Sequence, residues 1–133
     1  MTHAFPLTVY YEDTDMGGIV YHANYLKFIE RARSTWVAEL GVDQLALRDA
    51  GTIFAVRRIE SDFLAPATLG DQLTVITASE SQGAARWVLR QSIQRGGKTL
   101  FEARVTVVAM DLNGRATRLP AELRARGTSS GAK

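Results

Sequence analysis

The stretch from Asn24 to Leu40 constrains this chain more than any other. Its apolar residues Tyr25, Phe28, Ile29, Ala32, Trp36 and Leu40 form one stripe at three- and four-residue spacings. Lys27, Glu30, Arg31, Arg33, Ser34 and Glu39 fall mostly outside it. A single stripe at this period predicts one long helix that buries one side against a single layer. Asn24 or a neighbour can cap its start, and Gly41 suits the position just past its end. A short second helix is expected from Asp43, a good N-cap, to Ala50, closed by Gly51.

Everything else reads as strands. Phe5 to Glu12 is rich in Val, Tyr and Thr and alternates loosely; the loop Asp13 to Gly18 follows. Ile53–Leu64, Leu73–Ala78, Arg86–Gln94 and Leu100–Met110 carry β-branched and aromatic residues. Gly70-Asp71, Gly83, Gly96-Gly97 and Asn113-Gly114 punctuate them. Short turns join antiparallel neighbours, because parallel pairs need long crossovers. The expectation is an α+β fold, an antiparallel sheet with the helix on one face. Such a sheet leaves edges open, and an oligomer would cover them.

At 133 residues the chain is expected to be a single domain, packed over about residues 7–120, with residues 121–133 as a frayed tail. The formal charge is +2, too small to imply a nucleic-acid partner. Cysteine is absent, which removes thiol nucleophiles and Cys-based metal sites. No apolar run approaches the roughly 18 residues of a membrane span, and no secretory leader is visible, so the expected location is cytoplasmic.

Chemistry concentrates in one loop. Glu12, Asp13 and Asp15 crowd carboxylates just before Gly17-Gly18, and His22 stands where the long helix begins. A helix start offers unpaired N–H groups and a positive dipole end, suited to stabilising developing negative charge. A carboxylate, an imidazole and bare N–H groups near one Gly-rich loop make a candidate active site. The plainer alternative is that Asp13 and Asp15 form Asx-turns and His22 caps the helix. His3, near the N-terminus, is expected to be uninvolved. A phosphatase-type D-x-D motif fits poorly, because its glycine comes one place late and hairpins replace helical crossovers. A calcium loop lacks its further oxygen ligands. A nucleotide P-loop lacks G-K-[ST]. No metal and no cofactor are expected.

The run Tyr10-Tyr11-Glu12-Asp13-Thr14-Asp15-Met16-Gly17-Gly18-Ile19-Val20-Tyr21-His22-Ala23-Asn24-Tyr25, continued by Phe28-Ile29-Glu30-Arg31-Ala32-Arg33, resembles acyl-CoA thioesterases of the hot-dog fold. The likeness is to the Tol–Pal-associated members of the 4-hydroxybenzoyl-CoA thioesterase group. Phe63-Leu64-Ala65-Pro66-Ala67-Thr68-Leu69-Gly70-Asp71 resembles the family's strand-to-turn signature. The resemblance spans about Leu7 to Pro120. It implies a five-stranded antiparallel sheet wrapped around the long helix, pairing into a homodimer or homotetramer with active sites between subunits.

It also implies roles for particular residues. Asp15 matches the catalytic Asp, as base or nucleophile. His22 matches a His before the helix whose backbone N–H meets the thioester oxygen. Tyr11 matches a strand-end Tyr that would hold Asp15. Gly17, Gly18 and Met16 would line the substrate site; Met16 departs from the smaller residue usual there, which bears on acyl specificity. The implied substrate is an acyl-CoA, or an acyl carrier protein thioester. Arg57, Arg58, Arg86, Arg90, Arg95 and Lys98 are candidates to meet the phosphates of CoA. Arg57 and Arg58, being adjacent on a strand, should point to opposite faces. The competing readings are a hot-dog hydratase or dehydratase, and a non-catalytic acyl-binding module.

Overall fold

The structure is a computed structural model that describes residues 2–124. Strand β1 (Thr2–Thr8) leads through a 3₁₀ turn at Tyr11–Asp13 to helix α1 (His22–Glu39) and the short helix α2 (Gln44–Asp49). Strands β2 (Ile53–Phe63), β3 (Gln72–Gln82), β4 (Arg86–Arg95) and β5 (Lys98–Met110) follow. They form one antiparallel sheet in the order β1-β3-β4-β5-β2, with α1 against one face. The α+β hot-dog arrangement expected from the sequence is the one observed.

The pairing is less local than the run of short turns suggests. Only β3–β4 and β4–β5 are joined as hairpins between neighbours. β2 pairs with β5 at one edge, and β1 pairs with β3 at the other. Residues 64–71 therefore carry the chain from one side of the sheet to the other, and they pass the start of α1 on the way.

The stripe of α1 behaves as its period demands. Tyr25, Phe28, Ile29, Ala32 and Trp36 are all buried, and they meet Val75, Leu89, Ile93, Phe101 and Val105 in one core. Each large side chain fully withdrawn from water contributes about 1.5–3 kcal/mol. A polar link crosses this interface. The buried Gln91 of β4 donates from Nε2 to Ile29 O and Thr77 Oγ1, both at 2.9 Å, and its Oε1 accepts from Arg33 Nη1 at 3.0 Å. Every polar atom of that amide is thereby satisfied. Burial lowers the Arg33 pKa from its ordinary value.

Three boundaries differ from expectation. β1 ends at Thr8, opposite Gln72, because its partner strand begins there. The stretch expected to continue it to Glu12 folds instead into the 3₁₀ turn, closed by Tyr10 N donating to Asp13 Oδ2 at 2.9 Å. Tyr11 accordingly lies in that turn and not at a strand end. Helix α1 begins at His22, two residues early, and Asn24 does not cap it; the Asn24 side chain donates to Asp13 O at 2.9 Å. At the other end, residues 121–124 form a helical turn with Leu123 fully buried, so the packed chain reaches past residue 120. Residues 125–133 of the expected tail lie outside the described residues.

Candidate active site

The loop between the 3₁₀ turn and α1 is a small hairpin. Thr14 and Val20 form an isolated antiparallel bridge, and Asp15 N donates to Ile19 O at 3.0 Å. The tip is a tight turn in which Gly18 N donates to Asp15 O at 3.0 Å. Gly18 has φ 79°, a left-handed value that favours glycine. Gly17 does not need that freedom; its missing side chain matters for another reason. Asp15 Oδ1 accepts from Gly17 N at 2.9 Å, and a Cβ on Gly17 would lie 3.2 Å from that same oxygen. Asp15 therefore does form an Asx-turn. Its carboxylate is exposed, and Oδ2 has no protein partner among the described residues.

Asp13 anchors this hairpin to the helix. Its side chain is buried and takes the Tyr10 amide. Its carbonyl accepts both Tyr21 N at 3.0 Å and Asn24 Nδ2 at 2.9 Å. The first turn of α1 is thus held against the loop through the backbone of Asp13. No side chain caps α1, since Tyr21 occupies the N-cap position without a side-chain bond. Asn24 N donates to Tyr21 O at 2.8 Å, and the amides of His22 and Ala23 stay open to an external acceptor. The His22 imidazole is exposed, with its ring 4.7 Å from that of Tyr21 and 6.1 Å from that of Phe63.

A second loop braces the first. Val20 N donates to Ala67 O at 2.8 Å, and Ile19 bridges Thr68. Ala67 N donates to Tyr25 Oη at 3.1 Å, so the first turn of α1 grips this loop directly. Burial raises the Tyr25 pKa, which keeps the phenol protonated. The ring stacks on Phe101 at 5.2 Å, and Phe63 completes the aromatic cluster. Asp71 closes the loop: its Oδ2 accepts from Thr68 N and from Arg95 Nη1, both at 2.8 Å. The Thr68 amide, followed by Arg95, holds the Asp71 pKa below its ordinary value.

The structure thus brings together Asp15, Gly17, Gly18 and His22 on one loop–helix junction. Met16 sits on the same hairpin between Asp15 and Gly17, whereas Arg57 and Arg58 lie apart on β2. Tyr11 is 83% exposed and makes no hydrogen bond to Asp15, whose partner is Gly17. Met16 stands fully in solvent. Arg57 and Arg58 lie on β2 six and five residues before Phe63, which puts them about 17–20 Å along the strand from it. Nor do they point to opposite faces. The β2–β5 register shifts between Val56 and Arg58, and this bulge breaks the alternation. Arg58 pairs with Glu60 on the face turned away from α1, and Arg57 lines a groove on that same face. Asp13 and Tyr25 carry more of the site than their sequence suggested. For Asp13 the available signal was its place three residues after Tyr10, a spacing at which an Asp side chain can take a backbone amide.

Residues 9–127 match the thioesterase-like superfamily. The chain belongs to that family. It is 42% identical over 108 residues to the acyl-CoA thioester hydrolase YbgC of Escherichia coli O157:H7, a match covering 80% of this chain and 81% of that protein. It is 39% identical over 110 residues to the acyl-CoA thioesterase YbgC of Haemophilus influenzae, covering 82% and 81%. A crystal structure of a probable thioesterase from Bartonella henselae superposes with a TM-score of 0.85 at 35% identity, covering 90% of this chain and all of that one. The resemblance carried by the loop–helix run and its enzyme class, thioester hydrolase, both stand. Among the described residues, no three carboxylate or imidazole groups gather as a metal site would need. No helix among them is long and apolar enough to cross a membrane.

Proposed function

We propose that the chain hydrolyses acyl-CoA thioesters to free acid and CoA at the junction of the Asp15 loop and α1. The carrying observation is the Asp15 carboxylate, with one oxygen held by the Gly17 amide and the other open, on a hairpin that runs into an uncapped helix start. A thioester carbonyl is electrophilic because sulfur donates poorly into it. Hydrolysis needs an oxyanion site, a base or nucleophile, and release of the thiolate.

The N–H groups around His22 supply the first need, at a place where the helix dipole also favours negative charge. Asp15 supplies the second, by attacking the carbonyl or by taking a proton from the attacking water. In the water route, the new C–O bond forms as Asp15 receives the proton. The tetrahedral oxyanion then collapses, the C–S bond breaks, and the thiolate leaves to be protonated. In the direct route an anhydride with Asp15 forms first, and water opens it. The His22 ring orients substrate or water beside Phe63. An acyl carrier protein thioester has the same reacting group. The active oligomer is a homodimer or homotetramer.

The test is a thiol-release assay over a panel of acyl-CoAs, repeated with Asp15→Asn. Release from at least one acyl-CoA, lost in the variant, is expected. No release from any member would remove the hydrolase reading; hydration of an enoyl-CoA instead would point to the hydratase alternative. Single turnover in ¹⁸O-water identifies the direct route where label appears in Asp15, because only water opening the anhydride at the Asp15 carboxyl carbon places it there.

A further inference from the structure

The tip of the Asp15 hairpin is held from outside itself. Residues 15–19 are all exposed, so core packing does little to fix their position. Beyond the hairpin's own bonds and the anchor at Asp13, its backbone is tied to the second loop, through Val20 N to Ala67 O and the bridge of Ile19 to Thr68. Whatever places residues 67 and 68 therefore also places the Asp15 carboxylate. One pair of charged side chains closes that loop. Asp71 Oδ2 accepts from Thr68 N at 2.8 Å and from Thr68 Oγ1 at 3.3 Å, while Asp71 N donates to Thr68 O at 3.1 Å. Arg95, at the end of β4, reaches across it. Its Nη1 donates to Asp71 Oδ2 at 2.8 Å and to Pro66 O at 3.3 Å, so one nitrogen ties the two ends of residues 66–71 together. The same segment also holds the chain on the other side of the Asp15 loop. Val9, shortly before the 3₁₀ turn, donates from N to Asp71 O and accepts at O from Gly70 N, both at 2.9 Å.

We infer that Arg95 and Asp71 are positioning residues for the Asp15 carboxylate. The path is short. Arg95 fixes the Asp71 carboxylate, and that carboxylate fixes the Thr68 amide. Thr68 pairs with Ile19, whose carbonyl accepts Asp15 N at 3.0 Å. Neither charged residue acts on the reacting atoms; both act through the loop. By residue type Arg95 is a candidate to meet a phosphate of CoA, but in the fold its charge is matched by Asp71.

Stability and position weigh differently here. The two side chains are 36% and 20% exposed, and ion pairs near the surface add little to folding in general. A reacting group displaced by about 1 Å, however, can lose roughly 100-fold in rate. The pair should therefore be felt more in catalysis than in folding. Its kinetic consequence rests on the hydrolase reading; the placement of the hairpin does not.

The test compares the full chain with Arg95→Gln and Arg95→Lys, each alone and combined with Asp15→Asn, at neutral pH where circular dichroism shows them folded. Arg95→Gln should lower kcat for an acyl-CoA about 10-fold and change KM by less than about 2-fold. Arg95→Lys should recover most of that loss, because both contacts run from one nitrogen and an ammonium can reproduce them. In the Asp15→Asn background, Arg95→Gln should lower the residual rate by less than about 2-fold, since a residue acting through the carboxylate has nothing left to position. An equal loss in both backgrounds would make Arg95 a general structural residue and overturn the inference, as would no loss in either. Amide exchange gives a readout without substrate. The Asp15 N–H should exchange faster in Arg95→Gln than in wild type and near the wild-type rate in Arg95→Lys; unaltered exchange in Arg95→Gln would overturn the path. Should Arg95→Gln not fold, Asp71→Asn takes its place in the same comparison, since its amide still accepts from Thr68 but lacks the charge that holds Arg95. If wild type hydrolyses no thioester, the hydrolase reading fails, and exchange at Asp15 alone decides the positioning.

Discussion

Asp15 Oδ1 lies 2.9 Å from the Gly17 amide nitrogen, and a methyl group on Gly17 would come within 3.2 Å of that oxygen. The carboxylate is aimed by a hydrogen bond that only the smallest residue at position 17 leaves unobstructed. Flanking glycines thus do different work: Gly18 allows a left-handed turn, and Gly17 allows an approach.

A first prediction isolates that approach. Gly17→Ala should lower kcat by about 10-fold, because a displacement of a few tenths of an ångström misaligns the reacting group. Stability should change by less than about 0.5 kcal/mol, since residue 17 is on the surface and its φ is not positive. Steady-state kinetics beside a urea melt would separate the two effects. An unchanged kcat would mean that Gly17 does not set the carboxylate.

How much of this was legible follows from the range of the interactions. The stripe of α1 is local and periodic, so Tyr25 to Trp36 could be read directly. The end of β1 was not readable, because Val9 and Tyr10 continue its composition while the Asp13 side chain takes the Tyr10 amide and turns the chain. The separation of β2 from β3 is a non-local choice that short turns do not encode. The β2 bulge likewise defeated the rule that adjacent strand residues oppose each other. The loop proposed to carry the chemistry stood out by its residue types, but its bracing by Tyr25 and Ala67 joins positions 42 residues apart.

Asp15 and His22 should differ in weight. Asp15→Asn keeps the shape and removes the base or nucleophile, so kcat should fall by roughly 100-fold or more. His22→Ala leaves the helix N–H groups in place and should lower kcat/KM by about 10- to 100-fold. The α1 core does not depend on either residue, so circular dichroism should be unaltered. Equal losses in the two variants would make the imidazole a chemical partner and not an aid.

Tyr25→Phe tests the brace between α1 and the second loop. The ring stack on Phe101 survives, but the buried Ala67 N–H loses its acceptor. Leaving such a donor unsatisfied costs about 1–3 kcal/mol. Chemical denaturation should show that loss, and amide exchange at Ala67 should accelerate. Unaltered exchange there would show that the phenol does not hold the loop.

Asp71 should make part of the stability acid-sensitive. Its folded pKa is depressed by the Thr68 amide and by Arg95. A depressed carboxylate contributes stability that is fully present above its unfolded value, about 3.9, and is lost as pH falls through the lower folded value. Asp71→Asn should therefore destabilise the protein at neutral pH, with the difference from wild type shrinking below about pH 4. Urea melts from pH 7 to pH 2.5 would reveal this convergence; parallel curves throughout would show that the ion pair contributes nothing to folding.

Association should follow from the β2 edge. β2 ends the sheet, so one side of its backbone has no partner strand within the chain. Val56, Phe63 and Leu64 are exposed along it, and Tyr11, Met16 and Leu69 are exposed on the two loops of the candidate site. An open edge flanked by apolar side chains favours pairing with another chain. The protein should therefore sediment at micromolar concentration as a dimer or larger, and not as a 14.6 kDa monomer. Val56→Lys would put a charge at that edge and should shift the equilibrium toward monomer. If the site is shared between subunits, specific activity should fall in step with dissociation on dilution. A monomer at full specific activity would show that one chain holds the whole site and that the exposed face around β2 is not where copies meet.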